Sequence, residues 1–251
     1  MKKLSLLIIV ILTAFSCNNQ KEETDLTKEK LKGRVKSYTE ISYKAIERFG
    51  KIEKGERLKS IQIKYSNKGN KIETNHYNSY GSLSSKHIYK YGNKGNKIEK
   101  SYYNSDGSLS SKHIYKYDNK GNKIEMSYYH SDGILKSKSI YKYDNKGNEI
   151  EMRYYVSDDL GFKSISKYDN KGNEVEMRYY DSGGNFDEEY YSKYDNKGNK
   201  IEMSSSNAFG KKSKYIYKYD NFDKKGNWTK KITFKNEIPD DILEREFEYF
   251  E

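Results

Sequence analysis

Tyr115-Lys-Tyr-Asp-Asn-Lys-Gly-Asn122 decides the fold, because versions of this tract return along most of the chain. Its glycine falls at Gly69, Gly95, Gly121, Gly147, Gly172, Gly198 and Gly226, in steps of 26, 26, 26, 25, 26 and 28 residues. A period of this size marks a repeat architecture. A second glycine lies between these, at Gly81, Gly107, Gly133, Gly161, Gly184 and Gly210, so each repeat holds two turns and therefore two strands. Asp118-Asn-Lys-Gly121 and Asn104-Ser-Asp-Gly107 place Asp, Asn or Ser early and Gly last, the chemistry of a type I turn closing on a residue with positive φ.

Between the turns the residues alternate with period two, the signature of a β-strand with one apolar face. In 108–117 the odd positions carry Leu109, Tyr115 and Tyr117, and the even ones Lys112, Ile114 and Lys116. In 122–129 the even positions carry Ile124, Met126 and Tyr128, against Lys123, Glu125 and Tyr129. Keeping Tyr115 and Ile124 on one face pairs residue 117 with 122, and the same test pairs Tyr128 with Leu135, leaving loops 118–121 and 130–133. The pairing then drifts by two residues for every two strands, the one-directional shear of a curling sheet.

The expected fold is all-β, an antiparallel β-meander of hairpin repeats forming a single curled or spiralling sheet with a tyrosine-rich apolar face. A flat meander is the competing geometry. The hairpin repeats span 66–227. Segment 31–65 reads as an N-terminal hairpin cap, with a loop through Gly50 and Gly55, and 228–251 as C-terminal capping strands around the single proline, Pro239.

Composition alone suggests disorder: of 251 residues, 34% are charged, and the formal charge is +11. Order comes from placement, because the 27 tyrosines recur at fixed positions. Removing Lys2 and Lys3 with a signal peptide leaves +9, spread evenly over Lys- and Glu-bearing repeats, which is poor evidence for a nucleic-acid partner.

The N-terminus sets the expected compartment. Met1-Lys2-Lys3 precedes an apolar run over 4–15 that is too short for a permanent span, so 1–16 reads as a cleaved signal. Ala14-Phe15-Ser16-Cys17 resembles the lipobox of bacterial lipoproteins, which implies that Cys17 is lipidated and begins the mature chain. Asn18 after that cysteine then favours the outer membrane, on its periplasmic or its surface face, and 17–30 serves as a polar tether. Cys17 is the only cysteine, so no internal disulfide is expected.

Tyr115-Lys-Tyr-Asp-Asn-Lys-Gly121, its copy at 141–147 and Tyr217-Lys-Tyr-Asp resemble the YD repeats of the RHS/YD family over roughly residues 60–230. The Tyr-Tyr-x-Ser-Asp-Gly-x-Leu hairpins are also similar to MORN-type repeats. The first resemblance implies a coiling β-shell that can encase a toxin, and together they imply an alternative role in an interbacterial toxin or immunity system.

Chemistry-bearing residues are few. His87 and His113 are repeat equivalents replaced by Ser139 in the next unit, so with His76 and His130 they read as repeat variants rather than ligands. Asp118, Asp144, Asp169, Asp195 and Asp220 read as turn caps, in loops whose Lys and Asn do not suit calcium. No nucleophile elbow, phosphate loop or zinc motif is present, and neither catalysis nor a metal or other cofactor is expected. A second tyrosine row, Tyr77, Tyr103, Tyr129, Tyr155 and Tyr180, falls on the polar face and forms a candidate stacking platform for envelope polysaccharide. Beside it, Lys90, Lys116, Lys142, Lys167 and Lys193 interleave with Glu99, Glu125, Glu151, Glu176 and Glu202. The competing reading of these rows is cross-strand support of a thin sheet. The expected function is thus binding or scaffolding in the cell envelope, with a glycan or a protein as partner.

Overall fold

The computed structural model describes residues 24–251. The signal peptide, Cys17 and the rest of the tether up to residue 23 lie outside the described residues. Helix α1 (Asp25–Lys28) is followed by β1 (Val35–Arg48), β2 (Lys51–Tyr65), β3 (Lys71–Tyr77), β4 (Leu83–Tyr91) and β5 (Lys97–Asn104). Next come β6 (Leu109–Tyr117), β7 (Lys123–His130), β8 (Leu135–Tyr143), β9 (Glu149–Val156), β10 (Asp159–Tyr168) and β11 (Glu174–Asp181). The last five are β12 (Phe186–Tyr194), β13 (Lys200–Asn207), β14 (Lys212–Phe222), β15 (Trp228–Lys235) and β16 (Ile238–Tyr249).

Each strand pairs antiparallel with its sequence neighbours, and β16 pairs with β1 from Val35↔Tyr249 to Lys44↔Asp241, so the sheet is a closed barrel. This overturns the expected open sheet. The two-residue shear is present: His87 pairs with Tyr102 and Tyr102 with Ser111, two residues short of His113, the repeat equivalent of His87. Shear and twist of constant sign accumulate until β16 meets β1, and closure pairs both edges that a spiral would leave unsatisfied. The terminal segments are therefore the barrel's seam, not caps. Gly55 lies within β2, and the β1–β2 turn is the tight Phe49-Gly50 pair with φ of 51° and 75°.

Bulges correct the register. Asp118 accepts from the Gly121 amide at 3.1 Å and donates to the Asn122 carbonyl at 2.9 Å, and Gly121 has φ 88°. Tyr117 then faces Lys123, while Tyr115 faces Met126, so one extra residue is inserted between these pairs. The inserted residue turns Ile124 outward, 39% exposed, instead of placing it beside Tyr115. A matching shift between Tyr102 and Tyr103 marks the other end of the hairpin.

Two repeats depart from the pattern. Ser157 and Asp158 make a two-residue turn with positive φ, and Gly161 is a strand residue at a register shift, where a Cβ would stand 3.1 Å from the Tyr154 ring. In the last repeat Asp223, not Asp220, caps the turn, accepting from the amides of Lys225 and Asn227; Asp220 lies within β14.

A closed barrel of sixteen strands is wide enough to enclose a lumen rather than a packed core. The buried apolar cluster sits at the seam, where Leu26 packs with Val35, Tyr38, Ile63 and Tyr65.

Candidate functional site

The tyrosine-rich face points inward. Tyr117, Tyr143, Tyr168, Tyr194 and Tyr219 donate to the main-chain carbonyls of Lys97, Lys123, Glu149, Glu174 and Lys200, at 2.7 to 2.9 Å. Each phenol thereby ties its strand to the previous repeat. The inserted residue also brings Lys123 inside, contrary to the expected polar-face placement. Its ammonium lies 3.7 Å from the centroid of the Tyr141 ring.

Residues 24–33 form a strap across the rim built by the Asn-Lys-Gly turns, so 24–30 is ordered structure rather than tether. Thr24 and Thr27 form a capping box that starts α1. The Leu26 amide donates to Gly69 O at 3.0 Å, and a Cβ on Gly69 would meet Thr24 Oγ1 at 3.1 Å. Asp25 accepts from Tyr91 Oη, from the Lys71 amide at 2.9 Å and from Lys97 Nζ at 3.3 Å. Burial raises the pKa of this carboxyl, but the Tyr91 hydroxyl, the Lys97 charge and the Lys71 amide outweigh burial and hold it below the ordinary carboxylate range. Farther along, Lys30 Nζ donates to Gly198 O at 2.8 Å and Asn173 Oδ1 at 3.0 Å, and Asn227 brackets the Lys32 peptide. The strap thus reaches from the β2–β3 turn to the β12–β13 and β14–β15 turns.

The strap divides its end of the lumen. A cavity of about 350 Å³ lies toward Tyr91, Lys97, Tyr117, Lys123 and Glu149. A larger one, about 550 Å³, lies toward Lys30, Tyr194, Lys200, Phe222, Trp228 and Arg245. Both are within the size range of small-ligand sites.

The histidines form an aromatic ladder on the lumen wall. His76 Nε2 and His87 Nδ1 are 3.3 Å apart, the His87 ring lies 4.5 Å from Tyr102, and Tyr102 Oη is 2.9 Å from His113 Nδ1. Burial, together with the nearby Lys100 charge, lowers His87 to about 3 and His113 to about 4. Lys100 takes the repeat position of Met126 and is lowered to about 8 by burial and by Lys97 and Lys71. Sequence reasoning missed this clustering, although Lys in a methionine row was a visible signal. Among the described residues no group of three or more His, Cys, Asp or Glu is arranged to hold a metal ion.

Outside, the predicted charge rows meet pair by pair: Lys90–Glu99 at 2.8 Å, Lys116–Glu125 at 2.8 Å, Lys142–Glu151 at 3.0 Å, Lys167–Glu176 at 3.0 Å and Lys193–Glu202 at 2.8 Å. Tyr103, Tyr129, Tyr155 and Tyr180 pair across strands with Lys86, Lys112, Lys138 and Lys163, and Tyr77 with Ser60 and Leu83. The Lys112, Lys138 and Lys163 ammoniums stand 5.8, 5.8 and 4.9 Å from the centroids of the Tyr129, Tyr155 and Tyr180 rings. Lysines thus occupy much of this tyrosine row.

The chain is similar in fold to a porin-like protein from Bacteroides uniformis ATCC 8492, with a TM-score of 0.56 and 10% identity over 85% of this chain and 96% of that one. At that identity the likeness shows the fold alone. Matches to a Photorhabdus luminescens Tc holotoxin pore (TM-score 0.35, 11% identity, 76% of this chain, 12% of that one) and a DUF1329 family protein from Desulfovibrio piger ATCC 29098 (0.30, 7%, 86% of each) are too weak to carry an argument. No family model and no curated protein matches the sequence, so the likeness to YD and MORN repeats rests on the short motifs themselves.

Proposed function

We propose that this is a non-catalytic binding protein of the bacterial outer membrane, held there by a lipidated Cys17, with its barrel standing in water rather than crossing the bilayer. The observation that carries this reading is the outer wall. A membrane barrel presents an apolar band about 25 Å tall, and charged residues facing lipid destabilise it. Here the Lys–Glu pairs lie near the strand ends beside the Asn-Lys-Gly turns, and Lys112, Lys138, Arg153 and Arg178 carry charge into the middle of their strands on the same outer face. Among the described residues no helix is long and apolar enough to cross a membrane. Attachment then falls to the segment before the strap, where the lipobox-like Ala14-Phe15-Ser16-Cys17 lies. The tyrosine-lined lumen, with its two cavities, supports binding as the role.

Metabolic labelling with a fatty-acid probe and membrane fractionation test this in the full chain and its Cys17→Ser variant. Expected is labelled, membrane-bound protein that becomes unlabelled and extractable without detergent in the variant. A variant that stays in the membrane and resists alkaline extraction would show a spanning barrel and end the proposal.

A further inference from the structure

The larger cavity holds an unusual set of cations. Lys30 Nζ lies 5.5 Å from the centroid of the Tyr194 ring, and Lys200 Nζ lies 5.7 Å from the same centroid. Lys197 Nζ stands 5.3 Å from the centroid of the neighbouring Phe222 ring. Of the other charges at this cavity, Lys71 pairs with Glu29, and Arg245 with Glu40 at 2.7 Å. Among the described residues, none of Lys30, Lys197 and Lys200 has a carboxylate oxygen within 4 Å. The lining, among the described residues, holds seven Lys or Arg side chains against two carboxylates, Glu29 and Glu40, so it carries an excess of positive charge that an anion in the cavity offsets.

We propose that the cavity between the strap and β12–β15 binds a carboxylate-bearing saccharide, an acidic unit of envelope polysaccharide. Lys30 already donates to Gly198 O and Asn173 Oδ1, so Lys197 and Lys200 supply most of the donors for a carboxylate and its sugar hydroxyls. The cations already cover the Tyr194 and Phe222 rings, and Arg245 covers Trp228 with its guanidinium carbon 3.6 Å from the ring centroid. A hydroxylated sugar ring uses the hydrogen-bond donors that these cations bring to the cavity. This inference rests on the binding role proposed above and gives it a site and a ligand class.

Trp228 is the only tryptophan in the chain and lines this cavity, so its fluorescence reports occupancy there. The full-length protein in detergent micelles is titrated with trigalacturonate, with maltotriose as neutral sugar and citrate as simple anion. Expected is a saturable change in Trp228 emission with trigalacturonate, binding at least tenfold weaker for both controls, and a loss of at least tenfold in Lys197→Gln/Lys200→Gln. An unchanged urea midpoint in that double variant shows that its fold is kept. No saturable response, or equal binding of maltotriose or citrate, overturns the proposal. A parallel pull-down on immobilised envelope polysaccharide separates the two readings. Retention that survives the double variant overturns this site and leaves the binding role standing, whereas absence of retention overturns both.

Discussion

The phenol of Tyr117 donates a hydrogen bond of 2.7 Å to the main-chain carbonyl of Lys97, twenty residues earlier. Tyr117 lies on β6 and Lys97 on β5, beside the shift that puts Tyr91 opposite Lys97. The bulge frees a carbonyl on the lumen wall, and the tyrosine of the next repeat satisfies it. Four further repeats make the same bond, so these tyrosines stabilise the bulges that give the barrel its curvature.

Tyr117→Phe removes this bond and keeps the ring. The expected loss is about 0.5–1.5 kcal/mol in urea unfolding. Adding Tyr143→Phe should roughly double it, since each phenol serves a different carbonyl. Unchanged midpoints in both variants would remove the phenols from the account of curvature.

The strap is held by a carboxylate with a depressed pKa, so its stabilisation is present above the ordinary Asp range and lost as pH falls through the lower folded value. Hydrogen exchange at the Leu26 amide, which donates to Gly69 O, should therefore accelerate at strongly acid pH. Asp25→Asn should show fast exchange already at neutral pH, with the β6–β9 amides still protected. Slow exchange at Leu26 in that variant would mean that the leucine contacts alone hold the strap.

His87 and His113 are neutral in the folded barrel, with values near 3 and 4 against 6.5 when unfolded. Between those limits the unfolded chain binds more protons, so their destabilising effect is absent above about pH 6.5 and grows as pH falls toward 4. His87→Gln/His113→Gln should lose less Tm than the parent between pH 7.5 and pH 4.5. Parallel Tm curves would contradict the assignment.

The outer tyrosines pair with lysines across strands, which supports the wall more than it offers a free platform. Replacing Tyr103, Tyr129 and Tyr155 by Ala should lower the urea midpoint and leave polysaccharide retention unchanged. Retention that falls while the midpoint holds would restore the platform reading.

Much of the repeat is legible in the sequence. The type I turns, the two-residue drift and the five Lys–Glu pairs all follow from interactions within about 26 residues of sequence. Ile124 shows where this fails. Its apolar side chain argued for the inner face, but the extra residue beside the turn reversed it, and alternation by itself does not reveal an insertion. Gly161 failed for a related reason, because a bulge glycine and a turn glycine look alike in a pattern.

Closure, the strap and the lumen belong to the tertiary structure. Glu40 and Arg245 form an ion pair at 2.7 Å across 205 residues, and Lys30 reaches Gly198 across 168. Nothing in a local period specifies such meetings, because they depend on the summed twist and shear of every strand between. The sequence by itself determined strands, turns, the two chemically different faces and the ladders between neighbours. Only the closed barrel decided that the tyrosine face encloses a lumen, that the charged face forms the outer wall, and that residues 24–33 lie across the opening. Short-range pairing is written residue by residue, whereas closure is a geometric sum that is settled only when the last strand finds the first.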